Sequence, residues 1–234
     1  MRERPAQVSH LSVEAPTTVR GVTSIANTVA GDGYFANTRD DVVALLPRPA
    51  GRTLDVGCGA GALAAGLREA GATTLHGVEF VADQAERARE RFDEVHAGPI
   101  EAILPQLEGP YDTILCLDLL EHLTDPYAVL VGLRAVAARD GRLQVSVPNA
   151  RHVSLLWDLV RHGTFGYTDW GHRDRTHLRW FTRRDIVAAV EEAGWRVTRV
   201  SHPPLQRSGR LDAWTRGRST EFLVGQWYVT AVAA

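Results

Sequence analysis

Lysine is absent from this chain of 234 residues, so all 26 of its basic residues are arginine. Without lysine, the chain cannot contain a Walker-type phosphate loop, a Schiff-base lysine or a lysine general base. Cysteine occurs only as Cys58 and Cys116, which lie far apart and lack the spacing of metal ligands. We therefore expect neither a disulfide framework nor a zinc site, and both cysteines should be reduced core residues.

Long apolar runs are also missing, because no uninterrupted hydrophobic segment approaches the length that spans a bilayer. The first residues do not have the charged and then apolar character of a signal peptide. The formal net charge of -2 argues against a general binder of polyanions. These absences predict a cytoplasmic protein without a membrane partner.

Residues 1–25 follow neither the helical nor the strand period and are predicted to form a weakly ordered leader, followed by a single domain over 26–234. In that domain strand and helix patterns alternate, which predicts parallel strands with helices on both faces of the sheet. The predicted strands are 52–57, 73–80, 111–118, 141–148, 195–202 and 222–233, the last two forming an antiparallel hairpin at the sheet edge. The predicted helices are a short one ended by Pro47, 60–71, 81–92, one starting at Pro126 with Asp125 as its cap, 153–163, and one with a capping box of Thr182 and Asp185.

Three glycines, Gly57, Gly59 and Gly61, separate a predicted strand from a predicted helix in "LDVGCGAGAL". Glycine there allows a sharp turn and a close approach of a ligand to the helix N-terminus. The carboxylate of Asp55 would repel a dinucleotide pyrophosphate but would attract a cationic group. Glu79, at the end of the next strand, is placed to accept hydrogen bonds from ribose hydroxyls. A nucleoside without phosphate but with a positive centre describes S-adenosylmethionine (SAM) better than NAD.

From about residue 34 to the C-terminus, the sequence resembles the class I SAM-dependent methyltransferases. "LDVGCGAG" is similar to the first motif of that family, "GVEF" to its acidic second motif and "YDTILCLDLLEHL" to its strand-four motif. The terminal hairpin is similar to the reversed strand of that fold. The resemblance implies a Rossmann-like, doubly wound α/β sheet of seven strands and SAM as the cofactor.

The resemblance also implies which residues line the cofactor. That set is Tyr34, Asp55, Gly57, Gly59, Gly61, Glu79, Phe80, Leu117 and Asp118. Within it, Glu79 would hold the ribose diol and Phe80 would cover the adenine. Asp118 would lie beside the sulfonium end of SAM, and Tyr34 would belong to an N-terminal lid over the cofactor. Where many relatives have Gly-Asp, this chain has Gly98-Pro99, so backbone groups of the next two residues are expected to replace an adenine contact.

Asp118, Glu121 and His122 stand at positions i, i+3 and i+4, so one helical turn would bring them to one face beside the ligand crevice. Three interpretations are open. In the first, the two acidic residues stabilise the N-terminus of the next helix and His122 is a satisfied surface residue, although Asp125 already supplies a cap. In the second, His122 is a general base whose ring is oriented by Glu121. Asp118 would then lie on the cofactor side.

The third interpretation is a divalent metal held by Asp118, Glu121, His122 and a further ligand. "DLLEH" resembles the acid-x-x-Glu-His element of ubiquinone-pathway O-methyltransferases and small-RNA 2′-O-methyltransferases, where it serves Mg²⁺. His177 of "THLRWFTR" resembles another metal histidine of the RNA enzymes. Two oxygens and two imidazoles suit Mg²⁺ poorly, so no metal is expected. Base catalysis by His122 is preferred, with His177 as a second candidate.

Residues 148–181 are predicted to form a substrate-side insertion at the rim of the crevice. They offer aromatic walls and polar groups of the kind that hold sugars or polar rings, although a solvated Arg- and His-rich loop is the structural alternative. The candidate substrate residues are Tyr167, Trp170, His172, Arg173 and Arg175. The segment also resembles "PN…DRTHLRFFT" in methyltransferases of bacterial glycan and natural-product pathways.

Together these features predict an enzyme that transfers a methyl group from SAM to a hydroxyl of a small molecule, either a sugar or a secondary metabolite. A hydroxyl acceptor explains the cluster, because an alcohol hardly loses its proton at neutral pH without a base or a metal. N-methylation and RNA 2′-O-methylation stay open as alternatives, as does a SAM-binding partner protein without catalysis. Nucleic acid is not the expected partner, and homo-oligomerisation stays open.

Overall fold

The computed structural model of the protein describes residues 39–46, 48–204 and 218–234. The predicted leader and Tyr34 therefore lie outside the described residues. Among the described residues, no helix combines the length and the apolar character that crossing a membrane requires.

Seven strands form one sheet with the order β3-β2-β1-β4-β5-β7-β6. They are β1 Gly51–Val56, β2 Ala72–Glu79, β3 Glu94–Ala97, β4 Tyr111–Leu117, β5 Ala137–Pro148, β6 Trp195–Ser201 and β7 Gln226–Ala233. Strands β1 to β5 pair in parallel, whereas β7 runs antiparallel to both β5 and β6. This sheet confirms the predicted α/β class, with a mostly parallel sheet and an antiparallel C-terminal hairpin.

The helices connect these strands and surround the sheet. They are α1 Asp40–Val43, α2 Ala64–Glu69, α3 Ala82–Ala88, α4 Ile100–Ile103, α5 Pro126–Ala135, α6 Val153–His162, α7 Arg183–Glu192 and α8 Thr220–Leu223. The Asp125 carboxylate accepts a hydrogen bond from the Ala128 N–H at 3.0 Å, which confirms the predicted cap of α5. The predicted capping box of Thr182 and Asp185 is present at the start of α7.

The helix predicted over 60–71 is shorter than expected. Residues 58–63 form turns, and the helix begins only at Ala64. The reason is the glycine loop, since Gly59 and Gly61 adopt φ values of +53° and +78°, which are not helical. The loop therefore takes residues that apolar periodicity alone assigns to the helix.

Several further boundaries differ from the predictions. Strand β5 begins at Ala137 rather than at 141, and the helix predicted over 81–92 ends at Ala88. Strand β3 and helix α4 have four residues each, which is too short to show a period, and neither was predicted individually. The last strand was predicted over 222–233, but it begins at Gln226, and the residues before it form helix α8 and a short connection. Within that connection Val224 is fully buried, so its apolar character serves packing rather than strand pairing.

Neighbouring residues of the central strand β4 belong to two different apolar clusters. Ile114 and Cys116 pack in a cluster that includes residues of α5 and α7. Leu115, between them, packs in a cluster with residues of α2 and α3. Because side chains alternate along a strand, these clusters cover opposite faces of the sheet. Because β1 to β5 run in parallel, their carboxyl ends share one edge of the sheet, where the predicted site residues lie.

Candidate active site

The glycine loop joins β1 to α2 at this carboxyl edge of the sheet. Gly57 adopts a φ of +82°, and its N–H donates to the Val78 carbonyl at 2.8 Å. The Gly59 N–H donates to a carboxylate oxygen of Glu79 at 2.9 Å. The end of β2 thus fixes the glycine loop through the backbone N–H groups of Gly57 and Gly59.

Two buried carboxylates face this loop. Asp55 is 1% exposed, and among the described residues its Oδ2 has no hydrogen-bond partner. Burial and the nearby charge of Glu79 raise the pKa of Asp55 from 3.8 to about 7. Burial also raises the pKa of Glu79, against hydrogen bonds from the backbone N–H groups of Val81 and Gly59. A cationic ligand beside these carboxylates would stabilise their ionised forms.

The remaining predicted cofactor residues lie along the same edge. Phe80 follows directly on β2 and is 46% exposed, which leaves one face of its ring available. Leu117 ends β4 and is half-buried. Strands β1, β2 and β4 are neighbours in the sheet, so the described members of the predicted cofactor set are brought together. Their individual contacts with SAM stay predictions.

Asp118 leaves β4 with a φ of +52°, an uncommon backbone conformation that Asp tolerates better than most residues. Its Oδ1 accepts hydrogen bonds from the Ser146 hydroxyl at 2.9 Å and from the Gln226 side-chain amide at 2.7 Å. Its other oxygen pairs with the Arg39 guanidinium. The left-handed turn thus directs the carboxylate to these partners. Asp118 is not a member of the group of possible metal ligands that the described residues form, which consists of the other three predicted ligands. Sequence reasoning missed all three partners of Asp118.

Three other ionisable side chains do come together. Glu121 and His122 lie on the 3₁₀ turn Leu120–His122, and His177 reaches them from the predicted insertion. One proton-accepting or ligating atom of each lies within 4.8 Å of the others. The rings of His122 and His177 meet edge to face, with 4.8 Å between their centroids. The backbone N–H groups of 178–179 donate to the Glu121 carbonyl, which fixes the insertion against this turn.

The electrostatics of this cluster favour neutral imidazoles. Both carboxylate oxygens of Glu121 lack a hydrogen-bond partner among the described residues. Burial and the Asp118 charge raise the pKa of Glu121 well above its ordinary value. Burial lowers the pKa of His122, against the charge of Asp174, and burial and His122 lower the pKa of His177 to about 4. At neutral pH both imidazoles are therefore free to accept a proton or to bind a cation.

The His122 ring is held by a different residue from the one expected. Its Nδ1 lies 3.1 Å from the hydroxyl of Thr176, whereas Glu121 makes no hydrogen bond to it. The Thr176 hydroxyl in turn donates to the Asp174 carboxylate at 2.7 Å. Sequence reasoning missed this pair, although the Asp-x-Thr spacing in "DRTH" is typical of a local side-chain turn.

A small cavity adjoins the cluster. Its lining consists of Glu121, Pro148, Asn149, Ala150, His172, His177, Arg179 and Trp180. Of the five predicted substrate residues, His172 alone is in this lining, and its ring stacks on His152 with 4.6 Å between centroids. Arg173 pairs with the Asp158 carboxylate, so its charge is engaged beside α6.

The other predicted substrate residues lie further out on the insertion. Tyr167 and Trp170 are 56% and 78% exposed, and Arg175 pairs with Asp169 on the surface. Phe165 was not predicted, yet its ring centroid lies 4.9 Å from that of Tyr167 and 5.5 Å from that of Trp180. These three rings form an aromatic wall that reaches the cavity through Trp180.

Comparison with known proteins places the chain in a family. The family model for a methyltransferase domain matches residues 33–200. The chain belongs to the class I SAM-dependent methyltransferases. The ubiquinone biosynthesis O-methyltransferase of Bordetella bronchiseptica is 32% identical over 115 residues, which cover 47% of this methyltransferase and 47% of the relative. The chain thus spans about half the length of the first curated relatives it matches.

A second curated relative supports this membership, and a solved structure shows the same fold. The ubiquinone biosynthesis O-methyltransferase of Xylella fastidiosa strain M23 is 34% identical over 183 residues, or 70% of each chain. The structure of magnesium protoporphyrin IX methyltransferase from Synechocystis PCC 6803 with bound SAH shares the fold of this methyltransferase. Its TM-score is 0.59 at 21% identity, with 94% of this chain and 90% of that chain covered.

SAM is the cofactor of this family, and the site fits it. The sulfonium and amino groups of SAM are cationic, and the carboxylate oxygen of Asp55 that has no hydrogen-bond partner among the described residues lies near Cys58 of the glycine loop. No lysine is present to hold a phosphate, and SAM carries none. The loop therefore suits the phosphate-free nucleoside that was predicted from the sequence.

Proposed function

We propose that this methyltransferase transfers the methyl group of SAM to a hydroxyl of a small molecule, namely a sugar or a secondary metabolite. The observation that carries the proposal is the group of the half-buried His122 with the buried Glu121 and His177, with one reactive atom of each within 4.8 Å of the others. The glycine loop lies beside Leu119, which directly precedes the turn that carries Glu121 and His122, because a Cβ added at Gly57 would lie 3.4 Å from the Leu119 side chain. Methyl donor and proton acceptor would thus be neighbours.

The reaction asks little of the protein besides alignment and the removal of one proton. The hydroxyl oxygen attacks the methyl carbon in line, the new C–O bond forms, and the C–S bond breaks to release S-adenosylhomocysteine. The proton of the hydroxyl passes to a ring nitrogen of His122, which is neutral at physiological pH. A positioned base of this kind typically contributes about 100- to 10,000-fold, and alignment contributes more.

The surroundings of the cluster support this acceptor class. The wall of Phe165, Tyr167 and Trp180 offers aromatic faces on which a sugar or a planar ring can stack. The cavity beside it brings polar groups of the insertion to the same place. The curated relatives are named as O-methyltransferases, which supports an oxygen acceptor.

A second candidate is the same transfer with a divalent cation in place of the base. The buried carboxylate of Glu121, which has no hydrogen-bond partner among the described residues, favours it. Glu121, His122 and His177 would hold the ion, which would lower the pKa of the acceptor hydroxyl. One carboxylate and two imidazoles suit a borderline ion such as Zn²⁺ better than Mg²⁺.

Both candidates are tested by incubating the protein with methyl-labelled SAM and a panel of glycosides and phenols, each beside its amine counterpart. We expect the label on oxygen, as read by mass spectrometry and NMR of the product. Turnover should persist in EDTA without added metal. Label on nitrogen alone would contradict the hydroxyl acceptor. Loss of turnover in EDTA that Zn²⁺ or Mn²⁺ restores would favour the metal candidate over the base.

A further inference from the structure

The segment that carries His177 also makes a continuous hydrogen-bonded chain to His122. The Thr176 Oγ1 lies 3.1 Å from the His122 Nδ1 and 2.7 Å from an Asp174 carboxylate oxygen. The Thr176 backbone N–H donates to the same oxygen at 2.8 Å. Asp174 is 9% exposed, whereas His122 and Thr176 are half-buried. The buried Asp174 therefore anchors these hydrogen bonds at one end.

The hydrogen bonds that link His122, Thr176 and Asp174 can run in only one direction. A carboxylate can only accept hydrogen bonds, so the single hydroxyl proton of Thr176 is donated to Asp174. The hydroxyl oxygen has only lone pairs left for His122, so it can accept a hydrogen bond from the ring but cannot donate one to it. The His122 Nδ1 must then carry the hydrogen. A neutral imidazole has one N–H, and its Nε2 consequently has a free lone pair.

We propose that Asp174 and Thr176 hold His122 as the Nδ1–H tautomer, so that Nε2 is the nitrogen that meets the acceptor. Asp174 and Thr176 are positioning residues, because they act through the histidine. The tautomer follows from the hydrogen bonds alone, whereas its value for turnover rests on the proposed function. Glu121 takes no part in these hydrogen bonds, which agrees with its carboxylate making no hydrogen bond to His122.

The tautomer can be read without any acceptor. In the ¹⁵N-labelled, cofactor-free protein at pH 8, long-range ¹H–¹⁵N spectra of the imidazoles distinguish a protonated Nδ1 from a protonated Nε2. The signals of His122 are those lost in His122→Gln. We expect a protonated Nδ1 in the wild type and in Thr176→Ser, and a shift toward protonated Nε2 in Thr176→Val. A protonated Nε2 in the wild type would overturn the proposal.

Turnover supplies the second readout, with the best acceptor of the labelled panel. Thr176→Val should lower kcat about 10- to 100-fold, as removal of an orienting partner commonly does, with little change in the KM for SAM. Thr176→Ser should restore kcat to within about threefold, because its hydroxyl preserves both hydrogen bonds. A kcat for Thr176→Ser as low as that of Thr176→Val would count against the hydroxyl relay.

Thr113→Val is the matched control. The Thr113 hydroxyl, like that of Thr176, donates to an oxygen, here the Ala50 carbonyl at 2.7 Å, near the opposite end of β4. Thr113 is fully buried, whereas Thr176 is half-buried. Thr113→Val should leave the His122 spectrum and kcat unchanged. A loss of kcat equal to that of Thr176→Val would show a general effect of losing an internal hydroxyl. If the Nδ1–H signal is found while His122→Ala stays fully active, the proposed function fails and the tautomer stands.

Discussion

His122→Ala is expected to lower kcat for methyl transfer by about 100- to 10,000-fold, the contribution of a positioned general base. The dissociation constant for SAM should stay within about twofold, because the predicted cofactor contacts come from the glycine loop and the ends of β1, β2 and β4 and do not include His122. Steady-state rates with the labelled panel and calorimetric titration with SAM measure the two quantities separately.

His76→Ala is the matched control for this substitution. His76 is also a buried histidine, and its Nδ1 also contacts a hydroxyl, that of Tyr111 at 3.0 Å. Tyr111 begins β4, at the end of the strand opposite the cluster. His76→Ala should lower stability but preserve kcat in the folded fraction. A His122→Ala protein with wild-type turnover would end the base hypothesis.

Asp55→Asn is expected to weaken SAM binding about 100-fold, which corresponds to about 2.7 kcal/mol. The amide keeps the size of the side chain but cannot become negative, so it loses the attraction to a cationic ligand in a buried site. The measurement is calorimetric titration with SAM at pH 8, where the wild-type carboxylate is largely ionised. Unchanged affinity would contradict the cofactor assignment of this loop.

The same substitution should raise the stability of the cofactor-free protein at high pH. In the folded protein the pKa of Asp55 is raised from 3.8 to about 7, so folding favours its protonated form. That contribution to stability is complete below about pH 4 and is lost as the pH rises through about 7. Asp55→Asn should gain about 2 to 4 kcal/mol relative to the wild type between pH 4 and pH 8, at about 1.4 kcal/mol per pKa unit.

Urea unfolding at the two pH values measures this gain. Asp112→Asn is the control, because Asp112 lies on the neighbouring strand β4, is exposed, and accepts the Arg52 N–H at 2.8 Å. It removes the same charge without removing a buried carboxylate, so it should show no comparable gain with pH. An equal gain in the free energy of unfolding of both variants would show that the effect comes from net charge.

Most of the fold could be predicted because its signals are local. Apolar strand segments alternate with helical patterns over the first two thirds of the chain, and the capping residues Asp125 and Thr182 mark two helix starts. The errors fell where tertiary packing decides. Gly59 and Gly61 delay the start of α2, and the four-residue strand β3 exists because it pairs with β2.

The site could be predicted in its residue types but only partly in its pairings. His122 and His177 were both named from the sequence, and the structure brings their rings together. The side-chain partners of Asp118 come from β5, β7 and the residue before α1, and no sequence pattern links positions so far apart. Thr176 was missed for the same reason, since its hydrogen bond to His122 spans 54 positions.

The most direct test is a crystal structure of the protein with SAM bound. A reacting oxygen lies about 3 Å from the methyl carbon and about 3 Å from the base that takes its proton. We therefore predict that the sulfonium methyl points at the cluster, with its carbon within about 6 Å of the His122 Nε2. A SAM molecule whose methyl group points away from Glu121, His122 and His177, with no path for an acceptor between them, would contradict the account.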